Sequence, residues 1–118
     1  MLRFYFSAEK LNGALDNLIL KHALSPFADG EEVAAKICGL AERKALLSDF
    51  WNYLDGVISR MCEGDVRVLE YYALSRGGVS KDRLKEVKRC AVKFRRRAVR
   101  LSAFEEQLRL IGEYWCLL

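Results

Sequence analysis

Between Val33 and Met61 the apolar positions recur at alternating steps of four and three. Val33, Ile37, Leu40, Leu47, Trp51, Leu54, Ile58 and Met61 follow one another without a slip, and Lys44 is the single polar member of the series. That spacing puts them on one stripe of an α-helix and predicts one helix over 31–62 with a heptad seam. At about 1.5 Å per residue such a helix runs about 48 Å, longer than a compact globule of this mass is wide. The pattern therefore predicts an elongated molecule, a dimer or a bent helix. Gly39 and Gly56 are its weak points, each costing about 1 kcal/mol against alanine. Leu46, Phe50 and Val57 widen the seam, which fits a bundle packed from two sides. Trp51 and Tyr53 share the helical spacing and are expected as core aromatics.

The remaining stretches also read as helical. Leu2, Phe4, Tyr5 and Phe6 form a short apolar start that should dock on the core. Ser7 is placed to cap a helix whose Leu11, Ala14, Leu15, Leu18 and His22 share a face and which ends before Ser25-Pro26. Asp29-Gly30-Glu31-Glu32 has the form of a helix start, and Glu63-Gly64 that of a helix stop. Asp65 is placed to cap a short helix with Val68, Leu69 and Tyr72 inward, closed by Gly77-Gly78. Ser80 then opens a helix with Leu84, Val87, Ala91, Phe94, Ala98 and Leu101 on one stripe. Phe104, Leu108, Ile111 and Trp115 continue at helical spacing but shifted in phase, and Ser102 to Glu105 scores as a capping box, so the helix either bends or breaks near Ser102. The apolar ending Tyr114-Trp115-Cys116-Leu117-Leu118 should pack on the bundle or on a second copy. No stretch alternates with period two. The expectation is an all-α, elongated bundle of four to five helices, with two long helices, over 31–62 and 81–116, packed antiparallel, forming a single domain over 1–118.

Charge changes this picture. The net charge of +4 conceals a strong asymmetry, because residues 81–100 hold ten of the 20 Lys and Arg side chains and only two of the 16 acids. A local charge of +8 on one predicted helix points to an anionic partner. On a helical wheel Lys85, Arg89, Lys93, Arg96 and Arg100 fall opposite the apolar stripe. Spacings of four, four, three and four make a line able to follow a phosphate backbone, and guanidinium groups suit phosphate oxygens. Arg95-Arg96-Arg97 is denser in charge than an ordinary solvated face. The candidate nucleic-acid-binding residues are Lys85, Arg89, Lys93, Arg96, Arg97 and Arg100.

Other chemistries find little support. Cys38, Cys62, Cys90 and Cys116 are scattered without a C-x-x-C pair, and with one histidine they do not form a metal-ligand pattern. Cys38 and Cys90 are expected as small buried hydrophobes. His22 lies on an apolar stripe, where a partly buried structural histidine is the simpler expectation than a catalytic one. No nucleophile and base pattern and no phosphate-binding glycine loop occurs, so neither an enzyme nor a cofactor is expected. No apolar run approaches the roughly 20 residues of a membrane span, and Met1 to Lys10 lacks a signal-peptide core, so a cytoplasmic, non-membrane protein is expected.

The order of elements from Leu54 to Leu101 carries a resemblance. An apolar helix is followed by Glu63-Gly64-Asp65, then Arg67-Val68-Leu69, the Gly77-Gly78 turn, and a basic helix ending in Arg97-Ala98-Val99-Arg100-Leu101. This resembles the C-terminal, promoter-reading region of bacterial sigma factors (region 4) and of the short phage-type transcription regulators related to them. The resemblance implies a transcription-associated regulator that contacts duplex DNA, here through Arg89, Lys93, Arg96 and Arg100. It departs from that family in running from Leu84 to Leu101 without the turn that separates support and recognition helices, so it implies no base specificity. The alternative expectation is a scaffold or interaction protein, with the heptad seam and apolar C-terminus forming a homodimer or docking a protein partner and the basic face answering an acidic surface.

Overall fold

The structure, a computed structural model, describes residues 1–25, 30–75 and 78–117, and the regular elements among the described residues are all helices, without a strand. Six α-helices follow in order: α1 (Leu2–Phe6), α2 (Ala8–Ala23), α3 (Gly30–Ile58), α4 (Glu63–Leu74), α5 (Lys81–Arg97) and α6 (Glu105–Glu113). Short 3-10 helices occupy Leu101–Phe104 and Trp115–Leu117. The principal extents are 55 × 30 × 20 Å and the radius of gyration is 17.1 Å, against about 13.5 Å for a compact chain of this length. The expected elongated all-α bundle is therefore present, with α3 as its long axis.

The seam of α3 is internal. Leu40, Leu47, Leu54, Ile58 and Met61 are buried, and α2 is the main partner of α3. His22 shares a groove with Glu32, Lys36 and Arg43 while Ala8 and Asn12 share one with Leu47, Ser48 and Trp51, so the end of α2 meets the beginning of α3. The antiparallel partner of α3 is therefore α2, not the second long helix expected over 81–116, which breaks after Arg97. Lys44, the polar member of the seam, places its ammonium 2.6 Å from Asp16 of α2. A single cation in the seam is thus answered within the chain.

The wider face of α3 receives α6 and the turn before it. Phe50 and Tyr53 meet Phe104 at ring separations of 5.0 and 4.9 Å. Leu110 and Ile111 of α6 are buried. At the other flank Trp51 stacks on Tyr5 at 5.4 Å and donates its indole N–H to the Tyr5 carbonyl at 3.0 Å, and the Tyr5 hydroxyl donates to Asp55 at 2.6 Å. Trp51 and Tyr53 are packing aromatics, as their spacing predicts. The chain end docks on the bundle: Tyr114 takes a hydrogen bond from Arg43, and the Arg3 guanidinium lies 4.9 Å over the Trp115 ring.

Several local expectations are corrected. Helix α3 stops at Ile58, and Glu63-Gly64 opens α4 instead of closing α3. The amides of Arg60 and Met61 close onto Val57 and Ile58, and Cys62, in an extended conformation, is the N-cap. Ser7 and Ser80 stand at helix starts, yet neither hydroxyl caps; the Ser80 carbonyl accepts the amides of Arg83 and Leu84, both at 3.1 Å. The phase shift near Ser102 is a break. Helix α5 ends at Arg97, and the amide of Arg100 donates to the Tyr53 hydroxyl at 2.9 Å, which turns the chain back across α3. Cys90 is fully buried as expected, whereas Cys38 is exposed on the outer side of α3. Asp29 at the expected start of α3, Pro26, Gly77 of the expected turn and Leu118 lie outside the described residues.

Candidate nucleic-acid interface

Helix α5 is held by one narrow stripe. Val87, Cys90 and Phe94 are buried, with Ala98 just beyond the helix end, while Leu84 is exposed and Ala91 half-buried. At about 100° per residue, Lys85, Arg89 and Arg96 project opposite that stripe. Lys81, Lys88 and Arg95 are exposed beside them, and Lys81, Lys85, Lys88, Arg95 and Arg96 make no ion pair with a described residue. The two acids of the helix, Asp82 and Glu86, both precede Val87. From Lys88 onward the helix is therefore uniformly cationic.

The six residues expected from sequence separate into two groups. Lys85, Arg89 and Arg96 stay on the open face. Lys93 turns to the flank, where its ammonium sits 2.9 Å from Oδ2 of Asp65, and Arg97 donates to the Arg60 carbonyl at 2.6 Å, satisfying a peptide group at the end of α3. Arg100 follows the helix break, so it leaves the line altogether. Arg89 lies between the groups: its guanidinium is 3.9 Å from Asp65 Oδ1 but 61% exposed, a separation at which an exposed pair contributes little.

Asp65 is the residue that sequence reasoning misplaced. Expected as a helix cap, it sits inside the first turn of α4 and is 8% exposed. The hydrogen bond from Lys93, opposed by burial and helped by the Cys90 thiol 3.5 Å away, holds its carboxyl below the usual carboxylate range. Burial, followed by the Asp65 carboxylate, in turn pushes the Cys90 thiol up. The sequence signal was present in one respect, since Asp65 stands four residues before the buried Leu69, on the inward face.

Contacts at both ends align α4 and α5 as an antiparallel pair. Asp65, near the start of α4, meets Lys93 near the end of α5, while Arg83 near the start of α5 lies 4.9 Å over the ring of Tyr71 near the end of α4. Were the two crossed at a right angle at Tyr71, Asp65 and Lys93 would stand about 17 Å apart, from about 9 Å along one axis and about 15 Å along the other. Helix α5 consequently lies alongside α4 over most of its length. Near the C-terminal end of α5, Met61, Cys62, Asp65, Lys93, Arg96 and Arg97 line a cleft of about 320 Å³.

Among the described residues no three His, Cys, Asp or Glu side chains converge to hold a metal. What this surface can do chemically is hold anionic groups in a row: three of the expected cations remain available, and Lys81, Lys88 and Arg95 add to them. Comparison with family models, with curated proteins and with solved structures finds no match to this chain.

Proposed function

We propose that this protein binds nucleic acid by laying the open face of α5 along a phosphate backbone. The observation that carries the proposal is the row Lys85, Lys88, Arg89, Arg95 and Arg96: exposed, projecting from a helix held on one side, and making no ion pair among the described residues beyond the distant Asp65 contact of Arg89. Side-on presentation suits backbone contacts, which position a protein without reading sequence. A place in transcription regulation and in the cytoplasm belongs to the same proposal, the first resting on the resemblance in element order; no described helix is long and apolar enough to cross a membrane.

The test is a fluorescence-anisotropy titration of labelled duplex DNA over a range of salt. Five cations displacing counterions give a slope of log K against log salt of about −4.5. A combined Lys85→Glu, Arg89→Glu, Arg96→Glu protein, shown by circular dichroism to be folded, should lose binding. A flat salt dependence, or equal binding by both proteins, would remove the proposal.

One observation favours a second reading. Toward the tip of the α2–α3 hairpin the core thins out: Leu20 and Leu24 are 56% and 71% exposed, and Val33 and Ile37 are half-buried. We propose that, if α5 is not the functional surface, this tip docks a protein partner or a second copy. The heptad seam is a poorer candidate, since α2 already covers it. Light scattering at high protein concentration that gives a monomer mass would remove the homodimer form.

A further inference from the structure

The end of α4 carries a surface that neither the core nor the backbone-binding row explains. Tyr71, Tyr72 and Leu74 are 44%, 48% and 46% exposed, a concentration of large apolar side chains unusual for a polar helix flank. Tyr71 is also held in place. The Arg83 guanidinium lies over its ring at 4.9 Å, an arrangement that fixes the ring by cation–π attraction. Tyr71 further lines an open cleft of about 380 Å³ together with Arg67, Glu70, Leu74 and Ser75.

We infer that this cleft takes an unpaired nucleobase stacked beside Tyr71, so that the protein prefers single-stranded to duplex nucleic acid. The inference rests on the proposed role of α5 and adds the class of strand it binds. Three features carry it. Helix α4 lies against α5, with Asp65 at Lys93 and Tyr71 at Arg83, so a strand whose phosphates follow α5 runs beside α4. The cleft combines an aromatic side, an aliphatic side from Leu74 and a carboxylate from Glu70. A carboxylate repels phosphate but accepts hydrogen bonds from the N–H groups on the pairing edge of an unpaired base, so this end of the surface suits a base and the row suits the backbone. Among the described residues Arg67 is tied only to Glu63 at 2.6 Å, with both side chains at least 75% exposed, and such an exposed pair yields readily to a phosphate. In a duplex the base faces are stacked on one another and out of reach of a tyrosine on a helix flank. A single strand offers them freely, and base–aromatic stacking tolerates any sequence.

The experiment compares a labelled oligothymidylate of about 15 nucleotides with a duplex of equal length, at one salt concentration. It uses wild type, Tyr71→Ala, Tyr71→Phe and the combined Lys85→Glu, Arg89→Glu, Arg96→Glu protein, each confirmed folded by circular dichroism. Tighter single-strand binding by wild type, weakened about 5- to 150-fold by Tyr71→Ala, retained by Tyr71→Phe and with duplex affinity unchanged, supports the inference. Duplex and single strand bound equally, or a Tyr71→Ala protein that binds single strands like wild type, overturns it. If duplex binding is then still abolished in the triple variant, the α5 proposal survives alone. Binding of neither strand by wild type overturns both.

Discussion

Lys85 and Lys93 look equivalent in the sequence, two lysines on one side of a basic helix, and the structure gives them different work. Lys85 faces solvent without an ion-pair partner among the described residues, whereas Lys93 lies 2.9 Å from the buried carboxylate of Asp65. Replacing each with alanine separates the two roles. Lys85→Ala removes one counterion-displacing charge, so the salt slope of DNA binding should become shallower by about 0.9, and affinity at about 0.1 M salt should fall about eightfold. Its stability should remain within about 0.5 kcal/mol of wild type, as for an exposed side chain away from any structural contact. Lys93→Ala should leave the slope nearly unchanged, because its charge is already matched by Asp65. It should instead lower the melting temperature, because it removes the main group that holds the Asp65 carboxylate in its ionised form. Asp65→Asn supplies the converse, since it releases Lys93 and should steepen the slope while also lowering stability. The assays are anisotropy titrations at four or more salt concentrations and thermal unfolding followed by far-ultraviolet circular dichroism. If Lys93→Ala flattens the slope as much as Lys85→Ala does and leaves the melting temperature untouched, or if Asp65→Asn weakens DNA binding, the division of the basic helix into two groups is wrong.

Two further outcomes follow from the packing. Gly39 and Gly56 lie inside α3 with nothing within 4 Å of the position a Cβ would take, so Gly39→Ala and Gly56→Ala should each stabilise the protein by about 1 kcal/mol, raising the melting temperature by about 3–6 °C; a loss of stability in either would mean that α3 needs its glycine for a contact or bend. The depressed pKa of Asp65 has a defined sign in acid. Its ionised form stabilises the fold fully above the ordinary carboxylate value of 3.8 and progressively less as pH falls below it. Urea unfolding between about pH 5 and pH 2 should therefore show a steeper loss for wild type than for Asp65→Asn, and parallel curves would contradict the ionised pairing.

Much of this architecture was legible in one dimension because helices are local. The stripe of α3, the shared face of Leu11, Leu15 and Leu18, and the phase shift after Leu101 each follow from side chains three and four positions apart, and each appears as a helix or a break, although α3 stops at Ile58 and α5 at Arg97, earlier than the spacing put their ends. The charge of α5 was equally plain, being a property of composition. Cap chemistry was less so, since a serine before a helix signals only a start: at Ser7 and Ser80 the start is real and the hydroxyl bond is absent.

Tertiary structure decided what periodicity cannot encode, namely which faces meet. Lys44 interrupts a seam in the sequence, and only the antiparallel placement of α2 brings Asp16 to it across 28 positions. The same separation divides Asp65 from Lys93, so nothing local could distinguish Lys93 from Lys85, or show that Arg97 closes the end of α3 through the Arg60 carbonyl. The sequence determined that one helix would carry an excess of positive charge. Packing determined how much of that charge stays open to a partner, because a cation is neutralised by whichever acid or carbonyl the fold sets within reach, however distant along the chain.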